Sequence, residues 1–149
     1  MISYWPTSTE PLAAPMNEIP KIVFSRSGSL EYEPTTALRD ATAAQTAAGL
    51  PMVAPAAGWD DPRVLGADLT SEIAALKAEA GNDLLAHGGA SFAQSLIKLG
   101  LIDEYRLLIH PVVLGNGLAL FKDANPSHLD LIDATIFPSG SQGLVYRPH

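Results

Sequence analysis

Between Arg63 and His110 the chain alternates short apolar runs with amphipathic stretches, and few folds accept that order. Arg63-Val64-Leu65 reads as a short strand. Asp68 is placed to cap a helix in which Leu69, Ile73 and Leu76 recur at helical spacing, with Gly81 beyond its end. Asp83 to His87 reads as a strand and Gly88-Gly89 as a sharp turn; Phe92, Leu96 and Leu99 mark one helix face, closed by Gly100. Asp103-Glu104 starts the next strand, which runs to His110 with Tyr105, Leu107 and Ile109 on one side and Arg106, Leu108 and His110 on the other. This alternation predicts an α/β fold: a mostly parallel sheet with flanking helices. Leu129 to Phe137 and Leu144 to Arg147, separated by Pro138-Ser139-Gly140, add an antiparallel C-terminal edge.

The first half is less regular. Prolines at 6, 11, 15 and 20 predict a loop with one short turn over residues 7 to 20. Lys21 to Ser25 is a compact run containing Ile22, Val23 and Phe24, the pattern of a buried strand, ending at Ser25-Arg26. Residues 31 to 58 are rich in Ala, Thr, Pro and Gly. Thr35 or Thr36 is placed to cap an alanine-rich helix that stops at Gly49 before Pro51. Alanine buries little area, so the segment reads as a surface insertion that the fold can spare.

A chain of 149 residues is one domain's length, and 47% hydrophobic content against 17% charged excludes global disorder. The single domain is expected to span 1–149. With 16 acidic against 9 basic residues the net charge is −7, which argues against nucleic acid and anionic membranes as partners. The absence of cysteine excludes disulfides, thiolate catalysis and Cys-ligated zinc. No apolar stretch reaches the length of a membrane span, and Met1 to Pro6 has neither a basic region nor an apolar core; the expected location is cytoplasmic.

Two stretches offer chemistry. In His87-Gly88-Gly89-Ala90-Ser91, two glycines before a helix let another group approach the backbone, and the first helical amides carry partial positive charge suited to a pyrophosphate. The same spacing also serves a tight turn with no ligand. In Ser25-Arg26-Ser27, at a strand's carboxyl end, a guanidinium flanked by two hydroxyls suits a phosphomonoester, and equally suits a solvated turn before Gly28. The four histidines show no i, i+3 or i, i+4 pairing, so no metal site is expected; packing or capping is the better account of His87 and His110. No Gly-x-Ser-x-Gly elbow and no convincing general acid occurs, and no catalytic residue is assigned.

Lys21 to Arg26, Leu76-Lys77, Asp83 to Gly89, Leu101 to Tyr105, His110-Pro111-Val112-Val113-Leu114-Gly115-Asn116-Gly117 and Phe137-Pro138-Ser139-Gly140 with Tyr146-Arg147-Pro148 occur in one order. Together they resemble the dihydrofolate-reductase-like family, typified by the reductase half of the bifunctional riboflavin-biosynthesis deaminase-reductase. The resemblance covers residues 1 to 30 and 59 to 149. It implies NADPH as cofactor, with Ser25, Arg26 and Ser27 at the 2′-phosphate of the adenosine ribose and Gly88, Gly89, Ala90 and Ser91 along the pyrophosphate. Pro111 to Gly117 would shape the side of the pocket.

The resemblance also implies a small heterocyclic or carbonyl substrate, as in a dihydrofolate reductase or a 5-amino-6-(5-phosphoribosylamino)uracil reductase. By the same comparison the chain is N-terminally truncated: two interior strands of the family would precede Tyr4-Trp5. Without them, unpaired edges and uncovered apolar faces are expected, and with them self-association into a homo-oligomer. The rival expectation is a non-catalytic nucleotide-binding or interaction module that completes its sheet with another chain.

Overall fold

The computed structural model describes residues 1–66, 68–87 and 89–149. They form two compact units, Met1–Glu72 and Ile73–His149. In the first unit a 3-10 turn at Trp5–Thr7 precedes α1 (Ala13–Glu18), β1 (Ile22–Phe24), α2 (Pro34–Ala47) and β2 (Arg63–Leu65). The proline-rich start therefore holds more helix than the sequence predicts. Pro15 falls in the first turn of α1, where its missing N–H has no intrahelical partner to lose.

β1 and β2 pair in parallel, with Val23 opposite Val64. The ladder is extended by Arg63 N donating to Lys21 O at 2.9 Å and Ser25 N donating to Leu65 O at 3.0 Å. The connection between the two strands contains α2. Its cap is Glu33, whose carboxylate accepts from Thr35 N at 3.3 Å and Thr36 N at 2.7 Å, two or three residues before the predicted caps. Pro34 then occupies the first helical position. Gly49, at φ +63°, ends the helix as expected.

α2 buries none of its residues, but its second half is tied to the N-terminus of the chain. The Thr7 hydroxyl donates to Gln45 Oε1, and Gln45 Nε2 donates to Ser3 O at 2.8 Å. Val53 N and Ala56 N donate to Thr7 O and Pro6 O at 3.0 and 2.8 Å. Pro6, Thr7, Ala13 and Trp59 are the buried residues here. Trp59 Nε1 donates to Asn17 Oδ1 at 2.9 Å, and Lys21 Nζ lies 4.6 Å from the Trp59 ring centroid.

α3 (Leu69–Ala78) runs through the division between the units. Asp68 caps it as predicted, accepting from Ser71 N at 3.2 Å and Ser71 Oγ at 2.7 Å. The second unit continues with α4 (Ala90–Lys98), β3 (Tyr105–Ile109), β4 (Leu129–Ile136) and β5 (Gln142–Pro148). Ile73, Leu76, Leu96 and Ile97 are its buried apolar residues. The three strands form an antiparallel sheet in the order β3-β5-β4, with an irregularity between Leu131 and Asp133.

The α/β class and the antiparallel C-terminal pair stand, but the mostly parallel sheet expected is not found: among the described residues parallel pairing occurs between β1 and β2, and the three-stranded sheet is antiparallel. Asp83 to His87, expected as a strand, has no ladder partner among the described residues, and Leu84 and Leu85 are exposed. Its apolar pattern suits a strand, but a strand exists only where neighbours take its backbone groups. No helix among the described residues is long and apolar enough to cross a membrane.

Candidate functional site

The Ser25-Arg26-Ser27 stretch lies where β1 ends and the chain turns. Gly28 N donates to Ser25 O at 3.2 Å, and Gly28 itself sits at φ +72°, a conformation open to glycine at little cost. The turn gathers three hydroxyls. Ser25 Oγ and Ser27 Oγ are 3.1 Å apart, both donate to Ser29 O, and Ser27 Oγ lies 3.1 Å from Ser29 Oγ. Ser29 is the member that the sequence reading missed; the alternation of serine at 25, 27 and 29 is the signal that reveals it. Arg26 projects from this turn exposed, and it has no ion pair among the described residues. An unpaired guanidinium beside clustered hydroxyls can take a dianionic phosphate through charge-assisted bonds.

The second stretch opens α4, in the other unit. Gly88 lies outside the described residues. Gly89 is the N-cap; its carbonyl accepts from Phe92 N and Ala93 N, both at 3.1 Å, and no side chain caps the helix. The amides of Ala90 and Ser91 therefore lack intrahelical acceptors, as in any first turn. Gly89 adopts φ −67°, which any residue accepts, and a Cβ built there meets nothing within 4 Å. Neither the backbone nor the protein's own packing calls for glycine at 89. The space that it leaves open lies against the amides that a pyrophosphate would use.

The remaining polar groups have structural roles. His110 Nδ1 is 3.2 Å from the hydroxyl of the buried Ser141, which places this histidine in packing at the sheet's end. Hydrogen bonds from Arg106 and then Arg147 hold the Glu104 carboxyl below its ordinary range and join the start of β3 to the end of β5. Burial pushes Tyr105 up and Lys21 down. No group of His, Asp or Glu that could hold a metal occurs among the described residues.

Comparison with known proteins came to the same family as the motifs. The RibD C-terminal domain family matches residues 1–145. YyaP, an uncharacterized protein of Bacillus subtilis (strain 168), is 42% identical over 81 residues, covering 54% of this chain and 43% of that protein. YwjB of the same organism is 40% identical over 50 residues, covering 34% and 29%. The matched stretches thus span less than half the length of these curated relatives. A crystal structure of a protein assigned to riboflavin biosynthesis in Shewanella sp. PV-4 superimposes with a TM-score of 0.61 at 22% identity, covering 89% of this chain and 62% of that one. That likeness is one of fold.

Proposed function

The chain belongs to the RibD C-terminal domain family, and from that premise we propose that it is a reductase-type domain that takes NADPH. The observation that carries this reading is the unpaired Arg26 guanidinium at the carboxyl end of β1, beside the hydroxyls of Ser25, Ser27 and Ser29. Arg26, Ser25 and Ser27 would hold the 2′-phosphate of the cofactor. Gly88, Gly89, Ala90 and Ser91 would hold its pyrophosphate, with the α4 amides as donors and the missing Cβ at 89 as the space. Each stretch by itself offers donors to an anion, and Arg26 supplies the charge.

When bound, NADPH supplies hydride to a small heterocyclic or carbonyl substrate. The protein's part is to bind and orient, which needs no nucleophile. Under this reading residues 1–149 act as one reductase-like domain in a cytoplasmic setting. Calorimetric titration tests the proposal. NADPH should bind more tightly than NADH, and Arg26→Ala should remove about 1.5–3 kcal/mol of NADPH binding, roughly ten- to a hundredfold, while leaving NADH unchanged. Equal affinity of the unaltered chain for the two cofactors removes Arg26 from the site. Binding of neither favours the interaction-module alternative.

A further inference from the structure

The turn after β1 gathers three hydroxyls, and its hydrogen bonds do not leave their protons equally free. A hydroxyl has one proton to donate, whereas a backbone carbonyl only accepts. Ser25 Oγ donates to Ser29 O, so the Ser25 proton is committed and that oxygen has lone pairs alone to offer. Ser27 Oγ has three acceptors in reach: Ser29 O at 3.2 Å, Ser25 Oγ at 3.1 Å and Ser29 Oγ at 3.1 Å. The Ser29 hydroxyl has one partner among the described residues, Ser27 Oγ. That contact survives whichever of the two oxygens donates. When Ser27 is the donor, the Ser29 proton is left for a ligand, and Ser29 O keeps its bond from Ser25.

The oxygens of a phosphate dianion accept and do not donate, so such a group needs protons rather than lone pairs. By that measure Ser25 is the poorest of the three serines and Ser29 the best. Releasing the Ser25 proton breaks the bond that ties residue 25 to residue 29 across Gly28. Releasing the Ser29 proton breaks only the contact that Ser27 re-forms by donating. Exposure follows the same order: Ser25 is half-buried, whereas Arg26, Ser27 and Ser29 are exposed. Arg26 has no ion pair among the described residues, so its charge is open to the same anion. The Ser29 backbone is held through its carbonyl, which accepts from Ser25 Oγ and lies 3.2 Å from Ser27 Oγ. A donor held in place loses less freedom on binding than a mobile one, which favours affinity.

We propose that the Ser29 hydroxyl donates to the phosphomonoester that Arg26 takes, and that Ser25 is a positioning residue which keeps Ser29 in place through the Ser29 carbonyl. The proposal rests on the reading of Arg26 as the ligand of the cofactor's 2′-phosphate. It makes Ser29 a determinant of the preference for NADPH over NADH, and it gives Ser25 an indirect part in that preference.

Adenosine 2′,5′-bisphosphate and adenosine 5′-monophosphate differ only in the 2′-phosphate, and calorimetric titration of the full chain with each isolates that group. The unaltered chain should bind the bisphosphate more tightly. Ser29→Ala should weaken the bisphosphate about tenfold and leave the monophosphate within about twofold. Ser29→Thr, which keeps a hydroxyl, should stay within about threefold of the unaltered chain. Ser25→Ala should also weaken the bisphosphate, by about threefold or more. Adding it to Ser29→Ala should cost less than about twofold further, because Ser25 acts through Ser29. A general loosening of the turn would weaken both nucleotides and would not produce that non-additivity. Far-UV circular dichroism should show each variant folded. Arg26→Ala tests the underlying reading separately: if it leaves the preference for the bisphosphate unchanged, or if the unaltered chain has no such preference, that reading falls and this proposal with it. If Arg26→Ala removes the preference and a folded Ser29→Ala keeps it, the role of Ser29 alone is overturned. Losses at 25 and 29 that add in full would overturn the indirect role of Ser25.

Discussion

Replacing Gln45 by alanine severs two of the ties between α2 and the start of the chain. The first is the hydrogen bond from the Thr7 hydroxyl, on a residue only 3% exposed, and the second is the one that Gln45 donates to Ser3 O. Leaving a buried hydroxyl without its acceptor costs about 1–3 kcal/mol, and the exposed bond to Ser3 adds about 0.5. Alanine returns a few tenths through its better helix propensity. The net expectation is a loss of about 1–3 kcal/mol, which at a urea m-value near 2 kcal/mol/M lowers the midpoint by about 0.5–1.5 M. Replacing 31–58 by a short Gly/Ser linker removes the Val53 and Ala56 bonds as well, about 2–6 kcal/mol for all four, and regains about 1.2 kcal/mol of closure entropy over two halvings of loop length. Urea titrations followed by far-UV circular dichroism provide the assay. If Gln45→Ala and the linker variant both fall within about 0.5 kcal/mol of the unaltered chain, the ties carry no stability and the segment is the dispensable surface insertion that its composition suggests.

Three further outcomes are expected. Trp59→Ala should cost about 3–5 kcal/mol, and Trp59→Phe about 1–2, because phenylalanine keeps most of the buried area but loses the bond to Asn17; similar stabilities for the two variants would contradict this role. Gly89→Val should abolish NADPH binding at a folding cost of about 1 kcal/mol or less, since the backbone and the protein's own atoms leave room for the side chain; a folded variant that still binds would reduce the glycine to a turn. Glu33, Asp68 and Glu104 are held below their ordinary values, chiefly by hydrogen bonds from Thr36 N, from the Ser71 hydroxyl and from Arg106 respectively. Their contribution is present above the ordinary values of 4.5 for the glutamates and 3.8 for Asp68, and is lost as the pH falls below them. Glu104→Gln should therefore make acid unfolding shallower by calorimetry, and an unchanged profile would count against the Glu104 pairings.

What the sequence makes legible is local. Val64-Leu65, the Tyr105–Ile109 alternation and the Pro138-Ser139-Gly140 turn carry their own patterns, and Asp68 before Leu69 marks a helix start without reference to the rest of the chain. The serine and arginine turn after β1 and the glycine before α4 are legible for the same reason. Contacts across long separations are not. Trp59 meets Asn17 across 42 residues, and nothing near either one announces it. The ties of Gln45 to Thr7 and Ser3 are equally silent, which is why an alanine-rich helix reads as free of the fold. Asp83 to His87 shows the converse: its composition is that of a strand, but pairing is a property of two segments, and no described segment takes its backbone groups.

Under the proposed reading, Arg26 with its serines would take the 2′-phosphate of NADPH and the start of α4 would take a pyrophosphate. Amide chemical-shift mapping on the ¹⁵N-labelled chain tests both at once. NADPH should shift the amides of Arg26, Ser27 and Ser29 together with those of Gly89, Ala90 and Ser91, whereas NADH should shift the second group and leave the first in place. Identical shifts from the two cofactors at 26–29, or shifts that avoid both stretches, would contradict the account.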